Sequence, residues 1–382
     1  MKRQAKPKKE KPRKSNHLQM QVKSKIPWLV ACVTCFIYLF VIPAIPTLPT
    51  SLRSPVANLA GQTISTDPSK IISTKNALLI SSSSHLSSQI ISSLPLTPSS
   101  SGKKNSVPLV ASMIENHMES RPQKGLKDAV LVFELIVEGG ISRFLAIFRS
   151  DRLPSVIEPI RSLRPHFVSI AAPFRPLLLH AGGSAIAYEA LGRNPQIQNH
   201  DAIRYDGETY QRDDKKKAPH NLMISRDAIE SVLENKNILD FDIPIFPTTY
   251  DFISPKKYEK AKEIKLSFGS ANHNVAYTYQ PLRGSSYVRS ISGAERQARP
   301  KNVLVLETYI EGIGDPHIIP WTKTFGDGKL LLFSRGKVWR GTWEREKGQI
   351  FRFYDLEGNV LPLEKGQIWI TMVPSLGRVS WE

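Results

Sequence analysis

Cysteine is nearly absent from this chain of 382 residues. Its two cysteines, Cys32 and Cys35, lie inside one uncharged apolar run, so the long region that follows has no disulfide and no thiolate metal ligand available to it. Their Cys-x-x-Cys spacing falls in a membrane-type segment rather than a βαβ redox unit, which argues against a thioredoxin-like role. Familiar catalytic signatures are missing as well. There is no Gly-x-Ser-x-Gly elbow, Walker loop, dinucleotide fingerprint or His-Glu-x-x-His helix, and no internal repeat. No cofactor is therefore expected.

Acidic residues are scarce at the start of the chain. Residues 1–25 carry ten Lys or Arg against Glu10 alone, a net +9 that is half of the +18 total. Residues 26–104 add +4, and the remainder holds only +5. Charge gathered in a tail says more about topology than about nucleic acid, so none is expected on the folded domains, although the tail alone remains a third, nucleic-acid-binding alternative. The tail leads into an uncharged stretch, 26–45, whose core runs from Trp28 to Ile42 between Pro27 and Pro43. Twenty residues in a helix span about 30 Å, the thickness of a bilayer core. The positive-inside rule then places the N-terminus in the cytoplasm and the rest outside, which predicts a single-pass signal-anchor in the cell membrane. Leu29-Val30-Ala31-Cys32 resembles a lipoprotein box, but the apolar run continues well past Cys32.

From residue 46 to 107 the composition turns to Ser, Thr and Pro, which predicts a disordered stalk. Two further regions follow. Residues 108–250 alternate strand-like runs (109–116, 129–137, 142–148, 175–180) with helical ones (165–171, 184–191, 226–235), which predicts an α/β domain with a mixed sheet. Residues 251–382 read as a smaller β-rich domain, with Arg335-Gly336 and Glu357-Gly358-Asn359 at tight turns. Trp339, Trp343, Trp369 and Tyr354 suit either a sugar-stacking face or the core.

The stretch from Gly139 to Ser184 is where polar chemistry gathers. Arg143, Arg161 and Arg164 fall near strand and loop ends, where planar guanidinium forks suit a carboxylate or phosphate, or else pair with Glu134, Glu138 and Glu158 as structural bridges. Gly182-Gly183-Ser184 would present backbone N–H groups or a serine nucleophile, or form a turn and helix cap. Glu115, Asn116, His117, His180 and His220 would make an acid/base or metal site if the fold brings them together; nothing in their spacing requires it, and no metal is assigned. Glu134 and Glu138 share a strand face, which does not suit the opposed carboxylates of a glycosidase.

Several segments taken together resemble the YerB-like family of bacterial proteins. Met113-Ile114-Glu115-Asn116, Arg121-Pro122-Gln123, Glu138 to Phe144, Arg161 to Pro165, His180 to Ser184 and Pro219-His220-Asn221 carry the first part of the resemblance. Gly336-Lys337-Val338, Gly341-Thr342-Trp343, Arg352 to Asp355 and Gly366 to Ile370 carry the second. The resemblance implies an exported two-domain protein of lipoprotein type and transfers no biochemical activity. The expected function is binding of an anionic cell-wall polymer or a protein partner, with Asn116, Arg143, Arg161, Arg164, His180, His220 and Asn221 facing the ligand. The alternative is a cell-wall hydrolase using His180, His220, Glu115 and Ser184.

Overall fold

Strands carry the structure, a computed structural model that describes residues 106–382 apart from 206, 208, 237, 239–245, 247, 250–256, 283, 292–297, 314 and 316–317. The expected basic tail, membrane span and nearly all of the stalk, with both cysteines, lie outside the described residues. Among the described residues no helix is long and apolar enough to cross a membrane.

The Leu109–Glu115, Leu131–Ile136 and Ser142–Arg149 strands are apolar along most of their length because both of their faces are covered. They pair antiparallel, with Ser142–Arg149 in the middle, and Leu177–His180 then adds parallel to Leu109–Glu115, followed by Gln198–Asp201. On the other side, Ile368–Val373 lies parallel to both Leu131–Ile136 and Asn302–Glu307. Beyond it come Gly326–Ser334, Lys337–Arg345 and Glu259–Lys260, so one sheet passes through both halves of the sequence. Arg335 and Gly336, both at positive φ (51° and 70°), close the two-residue hairpin where the tight turn is expected.

Each face of this sheet has its own covering. On one face lie the Pro165–Ala171 and Ala185–Gly192 helices, which pack Phe167, Ile170 and Ala187 against Met113, Phe133 and Leu145. On the other lies a four-stranded antiparallel sheet of Ser286–Ile291, Val275–Gln280, Glu263–Leu266 and Val379–Trp381, which contributes Ile264, Tyr277 and Tyr287 to the core. Three tryptophans are core: Trp339 and Trp343 are 1% exposed and Trp369 is fully buried, which leaves these three no sugar-stacking face.

Between the two sheets sits a pair of charges without solvent. Glu134 and Arg289 are both 0% exposed, and Arg289 Nη2 donates to Glu134 Oε1 at 2.7 Å. The same carboxylate accepts Ser142 Oγ at 2.7 Å and Trp369 Nε1 at 2.9 Å. The guanidinium lies 4.7 Å from the Trp369 ring and 5.3 Å from that of Phe144. Glu134 is thus an internal strut and not a surface partner of the candidate arginines.

Backbone proximity makes one glycine in the β-rich half indispensable. A Cβ on Gly341 would collide with the Tyr354 carbonyl oxygen of the paired strand. We expect Gly341→Ala to destabilise by about 1–3 kcal/mol, the scale of overpacking, in urea unfolding. Gly192→Ala, at a helix end with nothing near its Cβ, should leave the midpoint unchanged or slightly raised.

Candidate functional site

The Leu109–Glu115 strand delivers its last residue, Glu115, to the rim of the sheet, and the next nine residues fold back on that end. His117 begins a single 3-10 turn, Met118–Ser120, and its Nδ1 accepts the Glu119 amide at 3.3 Å. Gln123 Nε2 donates to the Glu115 carbonyl (2.9 Å) and to Asn116 Oδ1 (3.1 Å), while Arg121 Nη2 donates to the Asn116 carbonyl (3.0 Å). Asn116 is fully buried and donates through Nδ2 to Ser142 Oγ at 2.8 Å. It therefore connects the strand end to Glu134 instead of facing a ligand.

Residues 161–164 thread between strand ends. The Arg161 amide donates to the Met113 carbonyl and its carbonyl accepts the Ala181 amide, while the Leu163 amide donates to Gly182. This brings the three arginines together as the sequence suggests, though in different roles. Arg143 donates to the Ser162 carbonyl at 2.7 Å and Arg164 to the Leu163 carbonyl at 2.8 Å; both pair with Glu138. Burial, then the neighbouring Arg164, brings the Arg143 guanidinium down to about 10, still protonated at neutral pH. Burial is the largest influence on the Glu138 carboxyl and would raise it, but the Arg164 hydrogen bond, a backbone hydrogen bond and the charges of Arg143 and Arg164 together outweigh it and hold it below its usual range. Arg161 Nε reaches Glu115 Oε1 at 3.0 Å, and its side chain, 28% exposed, is the most open of the three.

The other oxygen of Glu115 accepts His220 Nδ1 at 2.9 Å, and His220 Nε2 lies 3.3 Å from Glu119 Oε2. His117 stacks on His220 with ring centroids 4.6 Å apart. Glu115, His117 and His220 are thus brought together. His180 is engaged elsewhere: its ring nitrogens lie 2.8 Å from the Gly182 carbonyl and 2.6 Å from Asn199 Oδ1. Ser184 accepts the Ala187 amide at 3.2 Å as the cap of the Ala185–Gly192 helix, and Asp201 already accepts the Gly182 amide at 2.8 Å. The glycine pair therefore serves a turn and a cap, and among the described residues no histidine is hydrogen-bonded to Ser184. Asn221 accepts Arg212 Nη1 and donates to the Asp213 and Lys216 carbonyls, which holds the 213–216 loop. Glu158 is fully buried and pairs with Lys124 and Lys216, not with an arginine.

Glu119 and His166 were not singled out by sequence. Glu119 gives no signal beyond its closeness to His117. His166 is 3% exposed with no hydrogen bond to either ring nitrogen, and burial, reinforced by Arg143 and Arg164, lowers its pKa to about 3. A cleft of about 820 Å³ lined by Pro122, Lys124, Lys127, Pro154 and Arg226 among others includes none of the expected ligand residues.

Two family models account for most of the folded region. The "Protein of unknown function (DUF3048) N-terminal domain" matches residues 96–239 and the corresponding C-terminal domain matches residues 264–370. The chain belongs to the DUF3048 family. Within it, the "Putative lipoprotein YerB" of Bacillus subtilis (strain 168) is 30% identical over 285 residues, covering 71% of this chain and 82% of that protein. The crystal structure of the Bacillus subtilis YerB protein is similar at a TM-score of 0.64 and 29% identity, over 74% of this chain and 96% of that one. The YerB-like resemblance and the mixed α/β plus β-rich architecture both hold for this DUF3048 chain.

His166, His200 and His273 titrate near 3, 4 and 4 because burial disfavours their charged forms. Each takes up a proton on unfolding below its ordinary value of 6.5, so their contribution is complete above that pH and is lost as pH falls from 6.5 toward 4. Urea unfolding at stepped pH should show this decline, and His166→Leu should make it shallower.

Proposed function

We propose that the chain is a membrane-associated extracytoplasmic binding module that receives an anionic group of the cell envelope, a carboxylate or phosphate, at the Arg161 edge of the arginine cluster. The observation that carries this reading is a charge imbalance at a strand end. Arg143, Arg161 and Arg164 stand around two carboxylates, Glu115 and Glu138, and Arg161 is the most exposed of the three. Arg143 and Arg164 hold the loop, and Arg161 supplies the planar fork that suits such an anion. Attachment follows from the uncharged 26–45 segment behind a basic tail, which acts as a single-pass anchor, and a relative named a lipoprotein agrees with a membrane-bound location.

A second reading, a cell-wall hydrolase, is favoured by one contact. Glu115 orients His220 through Nδ1 at 2.9 Å, the arrangement by which a carboxylate positions a general base. It predicts soluble fragments released from the wall, and their loss in His220→Ala.

Residues 96–382 form a compact unit suited to the test. Mixed with isolated cell-wall sacculi, this unit should sediment with the wall and release no fragments. Sedimentation should weaken with added salt and fall several-fold in Arg161→Gln, assayed well below the variant's own unfolding midpoint. Sedimentation indifferent to Arg161→Gln contradicts the anion site. Fragment release sensitive to His220→Ala replaces binding with hydrolysis, and absence of both directs the search to a protein partner.

A further inference from the structure

We propose that His117, Glu119 and His220 bind a divalent first-row transition metal, with zinc as the reference ion. Their ligand atoms all lie within 4.8 Å of one another. One pair, His220 Nε2 and Glu119 Oε2, is 3.3 Å apart. Two ligands bonded to zinc at about 2.0–2.1 Å with a tetrahedral angle stand about 3.3 Å from each other, so this pair needs little movement to share an ion. Two imidazoles and one carboxylate suit zinc and its neighbours better than calcium or magnesium, which take oxygen ligands.

The arrangement behind the ligands is an independent indication. A ligating histidine commonly donates its second ring N–H to a carboxylate, which fixes the tautomer and makes the other nitrogen a better donor. His220 has that partner: Glu115 Oε2 lies 2.9 Å from Nδ1 and leaves Nε2 facing Glu119. Glu115 is itself held through its other oxygen by Arg161, at 3.0 Å. His117 is held less firmly, since its Nδ1 accepts only a 3.3 Å contact from the Glu119 amide. That contact is given up when the ring turns a lone pair to the ion. Arg121, Arg161 and Lys216 are cations near the site; Glu115 and Glu119 set two carboxylates against them, and Lys216, on the Ser120 carbonyl, also pairs with Glu158. Three protein ligands leave a coordination position for water or for an anionic group. The metal site stands on its own geometry and does not depend on the anion reading.

Full-length untagged protein in detergent, stripped with a chelator, would be titrated with zinc against a chromophoric chelator and with cobalt for its visible spectrum. Cys32 and Cys35 offer a second place for metal, so the informative quantity is the difference between the unsubstituted chain and its variants. Glu119→Gln changes a largely exposed side chain and keeps the fold intact; His117→Ala and His220→Ala complete the set. We expect each to lose one equivalent, or to weaken it on the order of tenfold or more. The bound equivalent should also be released on acidification as the imidazoles protonate. Equal stoichiometry and affinity in the unsubstituted chain and in Glu119→Gln would overturn the proposal, as would no zinc-dependent change in any of the four proteins.

Discussion

Glu134 is a carboxylate with no exposed surface, and much of the molecule is arranged to make that tolerable. An isolated buried charge is costly enough that it persists only when paired and fully hydrogen-bonded. Arg289, Ser142 and Trp369 supply the donors, from a strand of the four-stranded sheet, a neighbouring strand in the N-terminal half and a strand of the C-terminal half. One side chain therefore ties together three parts of the sequence that are far apart. It does so where Ile368–Val373 joins the two halves of the main sheet, so the packing of either half depends on the other.

The same network reaches the candidate site. Ser142, which donates to Glu134, accepts Asn116, and Asn116 in turn accepts Gln123. This chain of donors fixes the end of the Leu109–Glu115 strand, and with it Glu115, the carboxylate that Arg161 and His220 share. The two carboxylates divide the work. Glu134 has its donors supplied entirely by the interior, whereas Glu115, at the rim, divides its oxygens between a half-open arginine and a histidine whose other nitrogen meets an exposed acid.

Elements with strong local signals were legible in the sequence. The apolar runs at 109–115 and 131–136, the proline-started helix at 165 and the serine-capped helices at 185 and 226 match the structure because apolar runs and caps act within a few residues. The glycine corners also brought Arg143, Arg161 and Arg164 together as expected. Pairing over long separations was hidden. Arg289 lies 155 residues from Glu134, and nothing local marks it as buried. Glu119 escaped notice because only the fold brings it to His220, and the continuity of the sheet through both halves depends on a parallel pairing that no turn announces.

The most direct test of this account is scanning calorimetry of residues 96–382 with Glu134→Leu, Arg289→Met and the two combined. Removing one partner of a buried pair leaves the other charge stranded, at a cost of about 3–5 kcal/mol, while replacing both is often close to neutral. The account predicts a single shared transition in every protein, with each single substitution lowering it sharply and the double recovering most of the loss. Additive losses, or a transition that splits into separate N-terminal and C-terminal steps in the unsubstituted protein, would contradict it.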